Sequence, residues 1–501
     1  MFMSDVASAW LMTALTTSPV MIALVQTAAT LPIFLLGLPS GALADILDRR
    51  SLLIFTQLWA VVVAAMLFGT ALTNNVTPIL LLVLVFANGL VLAVRWPAFS
   101  ATIPELVPMR EVPMASALSG IANNGSRIAG PLLAGTIIAS FGVAYVFALN
   151  AVISAAAAAL LFMWHYARKP SALPSERISG AIRVGIQHVR QTPRVRLVMI
   201  RIVCFFFNSI AVMALLPIVA QPLTADPAQQ AGARTFALLL AAMGAGAVSI
   251  AMLMPATNRR FTRDVRYRAG TVVFALATVV VALSPVLWLA LAALYVAGAA
   301  WLFTANTLMV AAQLSLPEWV RARGLSIIQM AMMGATASGA AIWGSVASHG
   351  GVRVALIASA IAGPLGLLLT RRNELGKDAP EELVPAGVWT HPELVAPIDP
   401  DEGPVLVMIE YQIDPKRTDE FVALMRESRR VWLAHGLRQW NLFSDVSREG
   451  RHVEHMVDES WASYLRRNER IAASYIPLRE KKRAMHVGGE APVVTRYIAR
   501  H

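Results

Sequence analysis

The chain has 501 residues, 57% of them hydrophobic and 14% charged, with a formal net charge of +12. A soluble domain carries about 25% charge, so the balance excludes an ordinary soluble protein and indicates a polytopic membrane protein with a polar remainder. The single cysteine, Cys204, excludes a disulfide within the chain. No aromatic–basic reading surface accompanies the positive charge, which argues against nucleic acid as a partner.

About 20 apolar residues at ~1.5 Å rise cover a hydrocarbon core of ~30 Å. Apolar runs of that kind recur along the chain. The first, 1–17, reaches only about 25 Å. It starts inside what reads as a span, so a cytoplasmic leader and the first turns of its helix are expected ahead of it. Spans follow at 20–44, 51–72, 79–99, 113–139, 142–164, 197–221, 235–256, 269–283, 286–313, 325–348 and 352–370, for a total of twelve. The span at 269–283 is short and can borrow a turn from the basic loop before it.

The loops alternate in charge. One set holds Arg49 and Arg50, then Arg110, then Arg168 to Arg196 with their neighbours, then Arg259 to Arg268, then Arg321 and Arg323. The intervening loops hold only Arg234 and Arg353. Basic loops stay in the cytoplasm, so both termini are expected there. The loop at 166–196 divides the spans into an N-terminal bundle (1–165) and a C-terminal bundle (197–370). Within it, 180–190 has helical spacing with a basic face, which reads either as a surface helix on the inner leaflet or as a solvated linker helix.

The two bundles repeat. Pro104-Glu105-Leu106-Val107-Pro108-Met109-Arg110 recurs as Pro317-Glu318-Trp319-Val320-Arg321-Ala322-Arg323, an offset of 213 residues (317 − 104). The same offset places Asp45 on Asn258 and Arg50 on Arg263. A parallel repeat of two six-helix halves is a transporter architecture, with substrate held between the halves near the midplane. The fold class expected is therefore an all-α twelve-helix membrane bundle, followed by a smaller α+β domain.

Charges inside spans mark functional candidates. Asp5 and Arg127 each lie twelve residues before the outer end of their spans, about 18 Å deep. Equal depth makes them a candidate pair, with Asp5 as the protonatable group and Arg127 setting its proton affinity. A static pair, or an Asp5 facing a wet inlet, are the alternatives. Arg95 in the fourth span either lines a central cavity and meets an anionic substrate or snorkels to the headgroups. Arg201 reads as a snorkelling residue at the inner end of its span. Gln26, Asn88, Asn208, Trp301, Asn306 and Gln313 are polar or aromatic candidates for a cavity lining.

Residues 371–403 read as a linker rich in proline and acid. From 404 to 501 the pattern becomes strand 405–413, helix 418–434, strands 439–444 and 451–457, helix 461–474 and strand 493–498, a β-α-β-β-α-β order of the ferredoxin-like kind. His452 and His455, three apart on a strand, point to opposite faces and make no metal site. No nucleophile–base pair stands out, so no enzyme activity, cofactor or metal is expected.

Gly41-Ala42-Leu43-Ala44-Asp45-Ile46-Leu47-Asp48-Arg49-Arg50 resembles the loop motif between the second and third helices of the major facilitator superfamily, with Asp48 where that motif has glycine. Gly130-Pro131 followed by Gly135 resembles the family's antiporter motif. The tail segments Gly403–Val407 and Ser460–Arg470 resemble the subgroup of transmembrane secretion effectors, similar to the enterobactin exporter with an added C-terminal domain. That domain resembles small dimeric α/β-barrels related to antibiotic-biosynthesis monooxygenases, which implies a homodimer through the tail or ligand sensing.

The resemblance implies that Gly41, Asp45, Asp48, Arg49 and Arg50 bias the exchange between conformations, with Asp45 near a helix N-terminus and the arginines pairing with acids on neighbouring loops. It implies that Gly130, Pro131 and Gly135 seal the fifth span against the other half, although generic small-residue packing reads the same way. The expected activity is secondary active, proton-coupled efflux of a small amphipathic molecule, siderophore-like or drug-like. An importer of the same design is the alternative, as is a transporter fused to a sensing or monooxygenase-like domain. The expected partners are the substrate and the lipid bilayer.

Overall fold

The computed structural model describes residues 2–46, 48–106, 111–164, 178–223, 229–370, 398–487 and 489–500. Thirteen helices come first in the described residues: α1 (Phe2–Leu15), α2 (Pro19–Ile46), α3 (Arg49–Leu72), α4 (Pro78–Leu106), α5 (Val112–Phe141), α6 (Val143–Met163), α7 (Ile178–Gln191), α8 (Pro193–Ala220), α9 (Gln229–Arg260), α10 (Arg263–Leu283), α11 (Leu287–Leu314), α12 (Glu318–Gly350) and α13 (Val352–Leu369). Then come β1 (Val405–Gln412), α14 (Thr418–Ala434), β2 (Gln439–Ser444), β3 (Arg451–Asp458), α15 (Trp461–Arg470), α16 (Ile476–Ala484) and β4 (Val493–Ile498). Among the described residues, nine helices are long and apolar enough to cross a membrane, and Phe2–Leu15, Ala129–Phe141 and Val352–Leu368 are shorter apolar helices.

The helices run further than hydropathy alone delimits, mostly at the basic loops. Helix α10 begins at Arg263, so the short ninth span does draw a turn from the loop before it, and α9 continues to Arg260. Arginine is a good helix former. Losing hydrophobicity ends a span but not the helix that carries it.

The residues form two compact units. One comprises residues 1–172, 199–311 and 328–374; the other comprises 173–198, 312–327 and 375–501. In the first, α2 packs on α4, α3 on α6, α10 on α13, and α5 on α9. Its core joins side chains from both sequence repeats, among them Ala7, Met12, Leu81, Phe147, Leu215, Leu239 and Leu294. Trp10 of α1 stacks on Phe236 of α9 with centroids 6.0 Å apart. Thr27 of α2 donates to the Ala337 carbonyl of α12 at 2.8 Å. Where backbones approach this closely, glycine and alanine replace larger residues, the usual solution for helices that meet in lipid.

In the second unit the four strands form one antiparallel sheet in the order β2-β3-β1-β4. The alternating burial of β3 gives one face to the helices, through His452, Glu454, Met456 and Asp458. His455 lies on the opposite face from His452, as the two-residue period of a strand requires. Val405, Val407, Trp432, Met456, Trp461, Tyr464 and Tyr475 build the core between sheet and helices.

The expected helix over 461–474 is broken. Helix α15 stops at Arg470, a short turn covers Ala473–Tyr475, and α16 follows with Pro477 in its first turn. Proline fits there because the first helical N–H groups lack intrahelical partners anyway.

Helix α7 neither stands free in solvent nor lies bare: it packs on α14. Its Val189 and His188 are buried.

Candidate functional site

The loop between α2 and α3 is built around helix ends. Asp48 is the N-cap of α3, and its Oδ2 accepts from the Ser51 N–H at 2.8 Å. This satisfies one of the four donors that every helix start leaves open. The acid that stands in the motif's glycine position thus has a local structural task.

Arg50 donates through Nε to the Leu161 carbonyl at 3.1 Å and through Nη2 to the Phe162 carbonyl at 2.7 Å. Both oxygens belong to the last turn of α6. A guanidinium there satisfies orphan carbonyls and meets the negative end of the helix dipole. Among the described residues the partners of Arg50 are two carbonyls of the same bundle. Gly41 and Asp45 lie in α2 and Arg49 opens α3, but their side chains are outside the described residues.

Helix α5 carries the seam between the bundles. Gly130 and Pro131 are buried, and a Cβ on Gly130 would stand 2.9 Å from Phe2 Cβ of α1. A Cβ on Gly135 would overlap the Ala237 methyl of α9, in the other bundle. Beside this contact Ala233 and Ala237 of α9 are buried. Small side chains on both helices are what allow the approach.

Of the intramembrane charges, Asp5 is partly buried on α1 between buried Ser4 and Ser8, and Arg95 is partly buried on α4. Arg127 lies on α5 with its side chain outside the described residues, so the structure does not address an Asp5–Arg127 pair.

The family model of the transmembrane secretion effectors matches residues 1–501. The chain belongs to this family of major-facilitator transporters. YfiS of Bacillus subtilis (strain 168), an uncharacterized MFS-type transporter, is similar to it, 29% identical over 182 residues, or 35% of this chain and 42% of YfiS. The match thus spans less than half of that relative. The nucleoside transporter NupG has a similar fold, with a TM-score of 0.59 at 12% identity over 74% of this chain and 96% of NupG. A bacterial homologue of the human lysosomal transporter Spinster, solved inward-facing and occupied, gives 0.58 at 14% identity over 75% of this chain and 94% of its own.

Arg201 of α8 does not snorkel: among the described residues it is the most deeply buried arginine. It is 1% exposed. Its Nη1 meets Asp264 Oδ1 of α10 at 2.5 Å, its Nη2 donates to the Thr370 carbonyl at 3.3 Å, and its guanidinium lies 5.0 Å from the Tyr267 ring centroid. One side chain thereby ties α8 to the start of α10 and to the residue that ends α13.

Nearby, Asn208 lines a narrow cavity with Phe205, Ser209, Thr271, Thr278 and Ser359. That cavity lies inside the C-terminal bundle, between α8, α10 and α13, and not between the bundles. Asn306 and Gln313 are exposed, Gln26 and Asn88 are partly buried, and Trp301 packs edge-on against Phe206 at 5.9 Å.

The tail holds two buried ionic groups that its sequence did not announce. Lys482 Nζ lies 2.9 Å from Glu454 Oε2 and donates to Ser428 Oγ at 3.0 Å and to Tyr475 Oη at 3.2 Å. Trp440 Nε1 and Tyr411 Oη donate to the same carboxylate, at 2.8 and 3.2 Å. Burial opposes the charge on Lys482, but the Glu454 carboxylate outweighs it and holds the ammonium above the ordinary lysine range.

Arg467 forms the second group, a two-pronged pair with Asp458 at 2.8 Å on each prong, stacked 4.7 Å from the Trp432 ring. Every charge here has a counter-charge, as buried ions require.

Proposed function

We propose that the chain is a secondary active exporter that moves a small amphipathic molecule, siderophore-like or drug-like, by alternating access of 1–165 and 197–370 across a bacterial inner membrane, with both termini cytoplasmic and twelve spans. The observation that supports this reading best is the glycine-and-alanine seam of α5 on α9, a contact between the bundles that can close and open as they rock. Asp5 is the proposed proton carrier. In this reading Arg127, at equal depth by residue count, sets its proton affinity. Arg95 is the proposed contact for an anionic group of the cargo, and Gly41, Asp45 and Arg49 complete the conformational loop.

The test is efflux of a panel of siderophores and cationic dyes from energised cells, with and without an uncoupler. Export should stop when the proton gradient collapses and in the Asp5→Asn variant, with membrane insertion unchanged. Accumulation in place of efflux would identify an importer, and export unaffected by Asp5→Asn would remove the coupling assignment. The tail is proposed as a ferredoxin-like sensing or pairing module without enzyme activity. Its open sheet face, where Leu406, Met408, Val453, Val457, Phe443 and Tyr497 share one side by strand register, supports pairing with the tail of a second copy.

A further inference from the structure

Helix α7 connects the two bundles, and in its own unit it is gripped from two sides. On the tail side, His188 Nδ1 lies 2.9 Å from the Ala434 carbonyl at the end of α14. Arg183 pairs with Glu459. Gly436, at φ +101°, turns the chain so closely past Val184 that a Cβ there would stand 3.1 Å from its methyl. On the other side, a Cβ on Gly185 would stand 3.3 Å from Arg323 and Ile327 of the first turns of α12.

Trp319 of α12 joins all three parts. His188 of α7 meets it edge-on at 5.4 Å, His435 of the tail stacks on it at 5.9 Å, and the Arg470 guanidinium of α15 lies 4.7 Å from its ring. The sequence repeat gives this residue added meaning. Trp319 occupies the place that Leu106 holds in the first copy. The aromatic ring appears only in the copy whose loop the tail covers.

We propose that the tail is an internal clamp whose binding partner is the chain's own surface made of α7 and the start of α12, with Trp319 as the pin. The clamp has a mechanical consequence. Gln191 of α7 and Pro193 of α8 are separated by Thr192 alone. With α7 pinned, only residues 165–177 are left to span from the end of α6 to the fixed connector. With α7 released, the connector gains the whole helix. The docked tail therefore shortens the tether between the bundles and restricts how far they can separate. This assignment does not depend on the direction of transport, the cargo or the coupling ion.

The test uses the full-length protein in detergent, with a protease site placed within 371–397. After cleavage, the wild-type tail should remain with the membrane part on gel filtration, and the amides of 178–191 should stay protected from hydrogen exchange. Trp319→Ala should release the cleaved tail and speed exchange of 178–191 at least ten-fold. Arg470→Ala, on the opposite side of the contact, should act in the same direction, which separates undocking from misfolding of α12.

The Trp319 indole N–H has no partner among the described residues, so Trp319→Phe should retain the tail. A wild-type tail that separates after cleavage would overturn the proposal. So would a Trp319→Ala tail that stays bound, or an exchange rate in 178–191 that ignores tail release.

Discussion

Gly135→Ala is the sharpest single perturbation of the seam between the bundles. The added methyl falls on the Ala237 methyl of α9, and the atom it meets sits on a short, inflexible side chain. The two helices must separate by a fraction of an ångström or more. Overpacking of a close contact costs about 1–3 kcal/mol, and at ~1.4 kcal/mol per factor of ten that disfavours the packed arrangement about 5- to 150-fold.

A cysteine in place of Ala233, which is 1% exposed beside this contact, reports on it. In a background lacking Cys204, maleimide labelling of that cysteine should rise at least five-fold when Gly135→Ala is introduced. Gly130→Ala, which presses on Phe2 within the same bundle, should leave it nearly unchanged. If Gly135→Ala folds normally and labelling does not rise, α5 and α9 do not form a seam that opens.

Other expectations concern charges. Arg201→Met strips Asp264 and the Thr370 carbonyl of a donor and should lower stability by about 3–5 kcal/mol, read as a lower melting temperature in detergent. Glu454→Gln leaves Lys482 buried without its counter-charge. A loss of similar size, about 3–5 kcal/mol, should appear as faster hydrogen exchange in β3 and α16, and Glu454→Gln with Lys482→Met should recover part of it. The raised Lys482 pKa stabilises the tail fully below the unfolded lysine value, and that contribution fades as pH climbs through the folded value.

His435 behaves oppositely. Burial pushes it down to about 4, with His188, Arg467 and Arg470 adding to the shift and its bond to the Val431 carbonyl opposing it. The neutral ring is favoured, so its contribution is complete above about pH 6.5 and is lost as pH falls towards 4. The total is about 3 kcal/mol at ~1.36 kcal/mol per unit. The melting temperature should drop over that interval, and His435→Leu should reduce the slope without removing it, because burial lowers His188 too.

Much of this was legible from one dimension. Twenty-residue apolar runs and the alternation of arginine between loops depend on solvation alone, which each segment reports independently. The strands at 405–412, 439–444 and 493–498 and the helix at 418–434 follow from period and turn residues in the same way. The failures share a cause. Arg201 looked like a snorkelling residue because its partner Asp264 lies in another helix, and no local pattern links them. Lys482 sits in a run of charges, Arg479-Glu480-Lys481-Lys482-Arg483, that reads as solvated surface. Its burial is decided by Glu454 on a strand. The basic spacing of 180–190 was visible, but what covers α7 was not, since its cover comes from the tail, far along the chain.

By charge alone Arg50 is one of the basic loop residues expected to orient the chain in the membrane, and lysine would serve that purpose equally. Its forked grip on the end of α6, together with the Asp48 cap on α3, gives it a second occupation that lysine does not fill. An Arg50→Lys protein would be threaded correctly yet hold its first bundle less stiffly. If the two halves swing as proposed, neither half can flex, and part of that stiffness rests on a residue whose sign alone would have seemed to matter.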